Sequence, residues 1–139
     1  MLFLDLDGFK AVNDTHGHAA GDQLLCAVAD RLVGTVRRGD VVARLGGDEF
    51  VVMCEQIAQP QEAVELAERL IIEVARPFDI EAGEVRVGAS VGLATEQAML
   101  ISADQLVRNA DTALYQAKRG GRGRATRHEP QPRAPSGGR

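Results

Sequence analysis

Arg44-Leu45-Gly46-Gly47-Asp48-Glu49-Phe50 lies between two apolar runs rich in β-branched residues, Val41 to Ala43 and Val51 to Met53. Extended segments joined through a glycine pair predict a hairpin, because glycine accepts the backbone angles that tight turns require. The tip of that hairpin carries two acids, Asp48 and Glu49. Gly46 and Gly47 also let a bulky ligand approach the main chain. Glycine and aspartate are ordinary turn residues, however, so the turn alone implies no chemistry.

A second acid cluster changes that reading. Asp5-Leu6-Asp7 closes an apolar run, Met1 to Leu4, that reads as a buried strand. Acids at two strand ends can meet. A hard divalent cation takes oxygen ligands, usually one or two carboxylates with waters and substrate phosphates, and Asp5 with Asp48 would suffice. His16 and His18 flank Gly17 without a third soft ligand, which argues weakly for zinc.

The remaining chain supplies an α+β pattern, a sheet with helices packed against it as an α/β sandwich. Val64, Ala67, Leu70, Ile71 and Val74 repeat at helical spacing within 61–75, and Pro77 follows. Residues 24–36 and 103–118 are helical likewise, and alternation at Val85, Val87, Ala89, Val91 and Leu93 predicts one strand. At 139 residues and 45% hydrophobic content the chain has room for one ordinary domain. Cys26 and Cys54 fall in apolar segments, which predicts packed, reduced thiols in a cytoplasmic protein and no disulfide. No apolar run approaches the roughly 20 residues that span a bilayer. Residues 1–118 hold 10 Lys and Arg against 19 Asp and Glu, whereas 119–139 hold 6 against 1. An acidic body argues against nucleic-acid binding. From residue 120 the chain is rich in Gly, Pro, Ser and Arg without apolar periodicity, which predicts a disordered basic tail over 120–139.

Several spaced motifs together closely resemble the GGDEF family of diguanylate cyclases. They are Asp5-Leu6-Asp7-Gly8-Phe9-Lys10, Asn13-Asp14, Gly17-His18, Gly21-Asp22, residues 44–50, and Asn109-Ala110-Asp111-Thr112-Ala113-Leu114-Tyr115-Gln116-Ala117-Lys118. The last of these resembles the GGDEF half of GGDEF–EAL hybrid proteins. The resemblance implies a ferredoxin-like core, the palm of nucleotidyl cyclases and polymerases, over 1–119, lacking the family's usual first helix. It implies condensation of two GTP into cyclic di-GMP with release of pyrophosphate, in a homodimer that uses Mg²⁺ or Mn²⁺.

Carried over by position, Asp5, the Leu6 carbonyl and Asp48 would be metal ligands, and Glu49 would assist at the 3′-hydroxyl as base or second metal ligand. Asn13 and Asp22 match the residues that hold guanine, and their types suit its donor and acceptor edge. Gly8, Phe9 and Lys10 open a helix whose free N–H groups would face phosphates, beside Gly46 and Gly47. Lys118 and Arg122 match the basic pair over those phosphates, although a lysine there also suits a helix C-terminus. The usual Gly-Arg-Asn ending is here Gly121-Arg122-Gly123.

Arg37 and Asp40 match the family's inhibitory product site, with Arg69 contributing from a neighbouring subunit. Arginine suits such a ligand through planar, bidentate bonding, whereas an exposed ion pair would be worth about 0 to 1 kcal/mol. A missing first helix would expose apolar surface at about 25 cal/mol per Å², so the resemblance implies low, concentration-dependent activity for the isolated chain. The competing class is a module that binds GTP or cyclic di-GMP and regulates a partner without turnover; an inactive fragment is the third reading.

Overall fold

The computed structural model describes residues 1–94 and 103–128. Its elements are β1 (Leu2–Asp7), α1 (Phe9–His16), α2 (His18–Thr35), β2 (Val41–Gly46), β3 (Glu49–Met53), α3 (Pro60–Val74), β4 (Phe78–Ile80), β5 (Gly83–Val85), β6 (Gly88–Leu93), α4 (Ala103–Arg119) and β7 (Ala125–Arg127). A five-stranded sheet runs β2-β3-β1-β6-β7, and β4 with β5 makes a separate hairpin. β1 is central, antiparallel to both β3 and β6, while β7 alone runs parallel to its neighbour β6. β1, β2, β3 and β6 with their intervening helices give the β-α-β-β-α-β order of a ferredoxin-like sheet.

Alternation along β1 explains why its run looks continuously apolar. Leu2, Leu4 and Leu6 face the main core, where α2 supplies Leu24, Val28 and Leu32 and α3 supplies Leu66 and Leu70. Phe3 faces the other way, against Val51, Ala94, Ala110 and Leu114 beneath α4. Side chains two apart on a strand share a face, so Asp5 and Asp7 continue the Phe3 side. The acids therefore emerge on the α4 side, where its apolar stripe of Ala110, Ala113, Leu114 and Ala117 runs out.

That helix sits unusually close to the sheet. A Cβ added to Gly92 of β6 would lie 1.9 Å from the Leu114 nitrogen and 2.3 Å from the Ala110 oxygen. On the other face, the Arg31 guanidinium of α2 donates to the carbonyls of Glu73 (3.0 Å), Arg76 (2.7 Å) and Pro77 (2.8 Å) and stacks 3.6 Å from the Phe78 ring centroid. It satisfies carbonyls that the end of α3 leaves free.

Four expectations need correction. The strand foreseen over 85–93 is two strands in different sheets, because Val85 pairs with Phe78 in the β4–β5 hairpin while β6 begins at Gly88; alternation survives the break because Val85 and Val87 are both buried. The helix foreseen from Leu24 begins at His18. Cys26 is exposed, since the buried stripe of α2 passes through Leu24, Leu25, Val28 and Leu32, and about 100° per residue turns Cys26 off it; Cys54 is half-buried, and both thiols are free. The segment from 120 is ordered as far as His128: Val91 N–H donates to Arg124 O at 2.9 Å and His128 N–H to Leu93 O at 2.8 Å. Main-chain pairing at a sheet edge requires no apolar period, which is why composition misread it. The rest of the foreseen tail, 129–139, lies outside the described residues.

Candidate active site

The β2–β3 connection is a tight hairpin, with Gly46 opposite Glu49 across a bulge that follows Arg44. Gly46 (φ 150°) and Gly47 (φ 52°) both take positive φ. Arg44 Nε donates to the Gly47 carbonyl at 2.9 Å and braces the tip. Leu6 N–H donates to the Asp48 carbonyl at 3.2 Å, so the hairpin tip is tied to the end of β1. Asp5 and Glu49 are direct cross-strand partners and therefore share a face.

These ties bring the two acid clusters together. The Asp48 carboxyl stands close to that of Asp5, and its pKa is pushed up from 3.8 to about 6, first by burial and then by Asp5. Asp5 is 6% exposed, and its buried Oδ1 has no partner. Its Oδ2 accepts from Lys118 Nζ, which α4 delivers across the sheet. Unpaired buried carboxylate oxygen is costly, and a cation is the natural compensation. Two touching carboxylates, one with a buried oxygen to spare, fit a hard divalent ion. Among the described residues no three His, Cys, Asp or Glu side chains form a metal-binding group.

An open cleft of about 360 Å³ lies beside these groups, lined by Asp5, Glu49, Asp111, Thr112, Leu114, Tyr115 and Lys118. Asp111, Thr112 and Tyr115 belong to the 109–118 motif but carry no site role in the sequence reading, although Asp111, Tyr115 and Lys118 follow the four-and-three spacing of one helix face. A cavity of about 440 Å³ between α3 and β7 is larger, but Ile71, Ile72 and Arg124 line it and it contains none of the foreseen site residues.

Past Asp7, Gly8 (φ 86°) turns the chain into α1 with no side-chain cap. The first-turn N–H groups at Phe9 and Lys10 thus lack an internal cap, the property that suits a helix start to phosphate. One turn on, the Asn13 amide packs against α2: a Cβ on Gly21 would lie 1.7 Å from Asn13 Oδ1, which is buried without a partner. Only glycine leaves that room. Asp22, next to it, is exposed, so Asn13 and Asp22 share one edge of the α1–α2 pair. His16 and His18 are exposed.

Arg122 reaches Asp7 at 3.4 Å rather than the cleft itself. Arg37 and Asp40 stand apart, in a cavity of about 140 Å³ shared with Arg38, Gly39, Glu55 and Gln56. The Asp40 carboxylate accepts from Arg37 N–H at 3.0 Å, and Asp40 N–H donates back to the Arg37 carbonyl at 3.1 Å. Among the described residues no ion pair joins their side chains. Arg69 is exposed on α3 and lines neither that cavity nor the cleft.

The family model for the diguanylate cyclase GGDEF domain matches residues 1–124. Over 122 residues the chain is 48% identical to the bifunctional diguanylate cyclase/cyclic di-GMP phosphodiesterase MucR of Pseudomonas aeruginosa, a match that covers 88% of this chain and 18% of MucR. The chain thus spans less than a fifth of that curated relative's length. The solved GGDEF domain of YfiN or TpbB from Pseudomonas aeruginosa superposes with a TM-score of 0.87 at 38% identity, over 94% of this chain and 81% of that one. The GGDEF domain of DgcB from Caulobacter crescentus, solved in complex with c-di-GMP, superposes with a TM-score of 0.81 at 32% identity, over 93% of this chain and 77% of that one. With its palm-like sheet and its acids gathered at the hairpin tip, the chain belongs to the GGDEF-domain diguanylate cyclase family.

Proposed function

We propose that this domain is a diguanylate cyclase that joins two GTP molecules into cyclic di-GMP. In each of two equivalent steps a 3′-oxygen bonds to the α-phosphorus of the other nucleotide, the bond to the β-phosphate oxygen breaks, and pyrophosphate leaves. The hydroxyl proton passes to a nearby base. The observation that carries this reading is the contact between Asp5 and Asp48, with one Asp5 oxygen buried and unpaired.

Asp5, Asp48 and the Leu6 carbonyl are the assigned holders of Mg²⁺ or Mn²⁺, which supplies a lower hydroxyl pKa and shields phosphate oxygens when bound. Glu49, in register with Asp5 and open to the cleft, is the assigned proton acceptor. The start of α1 and the cations of Lys118 and Arg122 receive the β- and γ-phosphates. Asn13 and Asp22 hold guanine, whose N1–H and exocyclic amine suit an aspartate that adenine cannot satisfy. Arg37 and Asp40 form a product-binding surface just before β2, at the end away from the hairpin tip, completed by Arg69 from a second chain. One chain loads one GTP, so a homodimer brings the two together. No helix among the described residues is long and apolar enough to cross a membrane. The reaction is assigned to the cytoplasm, where GTP is available.

Incubation with GTP and Mg²⁺, followed by chromatography for cyclic di-GMP and pyrophosphate, tests the reading. Wild-type chain should form both in a ratio of about one to two, from the balance of the reaction, and Asp48→Ala should lower the rate by about 10² or more, the scale of losing a group that stabilises transition-state charge. GTP binding by the wild type with no product would overturn catalysis in favour of a regulatory binding module.

A further inference from the structure

Asp5 and Asp7 lie two apart on one face of β1, and spacing alone makes them equivalent candidates for a cation. Their surroundings separate them. Asp5 keeps a buried oxygen without a partner, whereas both Asp7 oxygens are engaged by protein donors. Asp7 Oδ2 accepts from the Ser90 hydroxyl of β6 at 2.8 Å and from Gly123 N–H at 3.1 Å. Gly123 N–H also approaches Ser90 Oγ at 3.2 Å, which closes a small network with Ser90 fully buried. Asp7 Oδ1 meets the Arg122 guanidinium at a longer 3.4 Å.

The segment so gripped is itself under strain. Arg122 sits at φ 63°, alone among the described non-glycine residues in taking positive φ, between Gly121 (φ 118°) and Gly123 (φ 61°). Such a conformation persists only when its surroundings over-determine it. From the helix side, Arg122 N–H turns back to the Ala117 carbonyl at 3.1 Å and Gly120 N–H to Gln116 at 2.9 Å. From the sheet side the hold comes from Asp7 and Ser90. The strap from 120 to 123 is therefore pinned at both ends, with the Arg122 side chain leaving its strained middle toward Asp7.

We infer that Asp7 is a positioning residue, not a metal ligand: its Oδ2 anchors the strap to the sheet and thereby aims Arg122 at the nucleotide's terminal phosphates. The inference rests on the proposed function, because it supplies GTP as the ligand. The anchor and the ion pair divide the work. Oδ2 holds the backbone in place, while the longer contact through Oδ1 is one the guanidinium can exchange for phosphate. An asparagine with its carbonyl turned to Ser90 and Gly123 keeps the anchor and loses only the charge.

Equilibrium binding of GTP and of GMP, each titrated with Mg²⁺ present, tests this in wild type, Asp7→Ala, Asp7→Asn and Ser90→Ala. Asp7→Ala should weaken GTP by about tenfold or more, the scale of hydrogen bonds to a charged group, and leave GMP within about twofold of wild type. Asp7→Asn should restore GTP binding to within a few-fold of wild type with an unchanged Mg²⁺ requirement, and Ser90→Ala should fall between the two, about threefold weaker. Equal losses for GTP and GMP, or a raised Mg²⁺ requirement in Asp7→Asn, would overturn the assignment. Failure of the wild type to bind GTP would instead sink the function on which it rests.

Discussion

Asp48 carries the most perturbed carboxyl of the site, and its environment sets a direction for stability. Its folded pKa of about 6 stands above the ordinary 3.8, so the folded chain binds that proton more tightly than the unfolded chain does. The stabilising contribution is therefore complete below about pH 4, is lost as pH rises toward about 6, and above that the metal-free fold carries the penalty of two carboxylates in contact. Asp48→Asn removes that penalty. Thermal unfolding without divalent metal should give the variant a higher Tm than wild type at pH 8, with the difference closing toward pH 4. Added Mg²⁺ should reverse the order at pH 8, because only the wild type gains from binding; its gain should fade below about pH 6 as protons compete for the carboxylate. A variant less stable than wild type at pH 8 without metal would contradict the contact between Asp5 and Asp48. Much of this pairing is legible from sequence, since acid at a strand end and at a glycine tip can converge in one sheet. What no single residue announces is the difference between Asp5 and Asp7. It depends on Ser90 and Gly123, which are 83 and 116 positions from Asp7 and meet it only through sheet register and the strap.

Helix α4 delivers Lys118 to Asp5, and the helix can do so only because β6 offers no side chain at Gly92. Substitution by alanine would press a methyl group into the main chain of residues 110 and 114, which cannot swing aside as a flexible side chain does. Gly92→Ala should therefore cost about 3 kcal/mol or more, at the upper end for overpacked cores, as read by urea denaturation at matched m-value. Because displacement of the helix carries Lys118 from Asp5, GTP affinity should fall even at temperatures where the variant stays folded. Neutral behaviour in both measurements would mean that α4 is less closely seated than the backbone distances indicate. Three of the four described helices are legible from apolar spacing, with α3 and α4 within a residue or two of their foreseen limits and α2 begun six residues earlier than foreseen. The three-residue strands are not: β4, β5 and β7 rest on main-chain pairing with distant partners, and segments that short hold too few side chains to show a period. For that reason composition places residues 120–123 in a tail, although the motif match singles out Arg122 and the segment lies at the sheet edge beside the candidate site.

At the scale of the molecule, the cleft next to the paired acids is lined by residues of one chain, whereas the proposed reaction consumes two nucleotides that attack each other. Asp5, Asp48 and Glu49 all stand at one end of the sheet, so the proposed mechanism brings the second GTP on a second chain facing that end. Mass action then governs the rate. Where most chains are monomeric, doubling the protein should raise the initial rate of cyclic di-GMP formation about fourfold, tending to about twofold once dimers dominate. Excess Asp48→Ala chain, which keeps the residues proposed to hold guanine, should draw wild-type chains into mixed pairs and depress their rate rather than leave it unchanged. The chain matches only 18% of MucR, and a segment outside the domain that held two copies together would relieve that dependence. Fusing a dimerising coiled coil ahead of Met1 should then imitate that arrangement: a short linker gives an effective concentration in the millimolar range, enough to remove the second-order dependence without touching the site. A rate linear in protein at concentrations where sedimentation shows the unfused chain to be monomeric would show that one domain completes the reaction alone. That result would refute the two-chain geometry while sparing the metal assignment at Asp5 and Asp48.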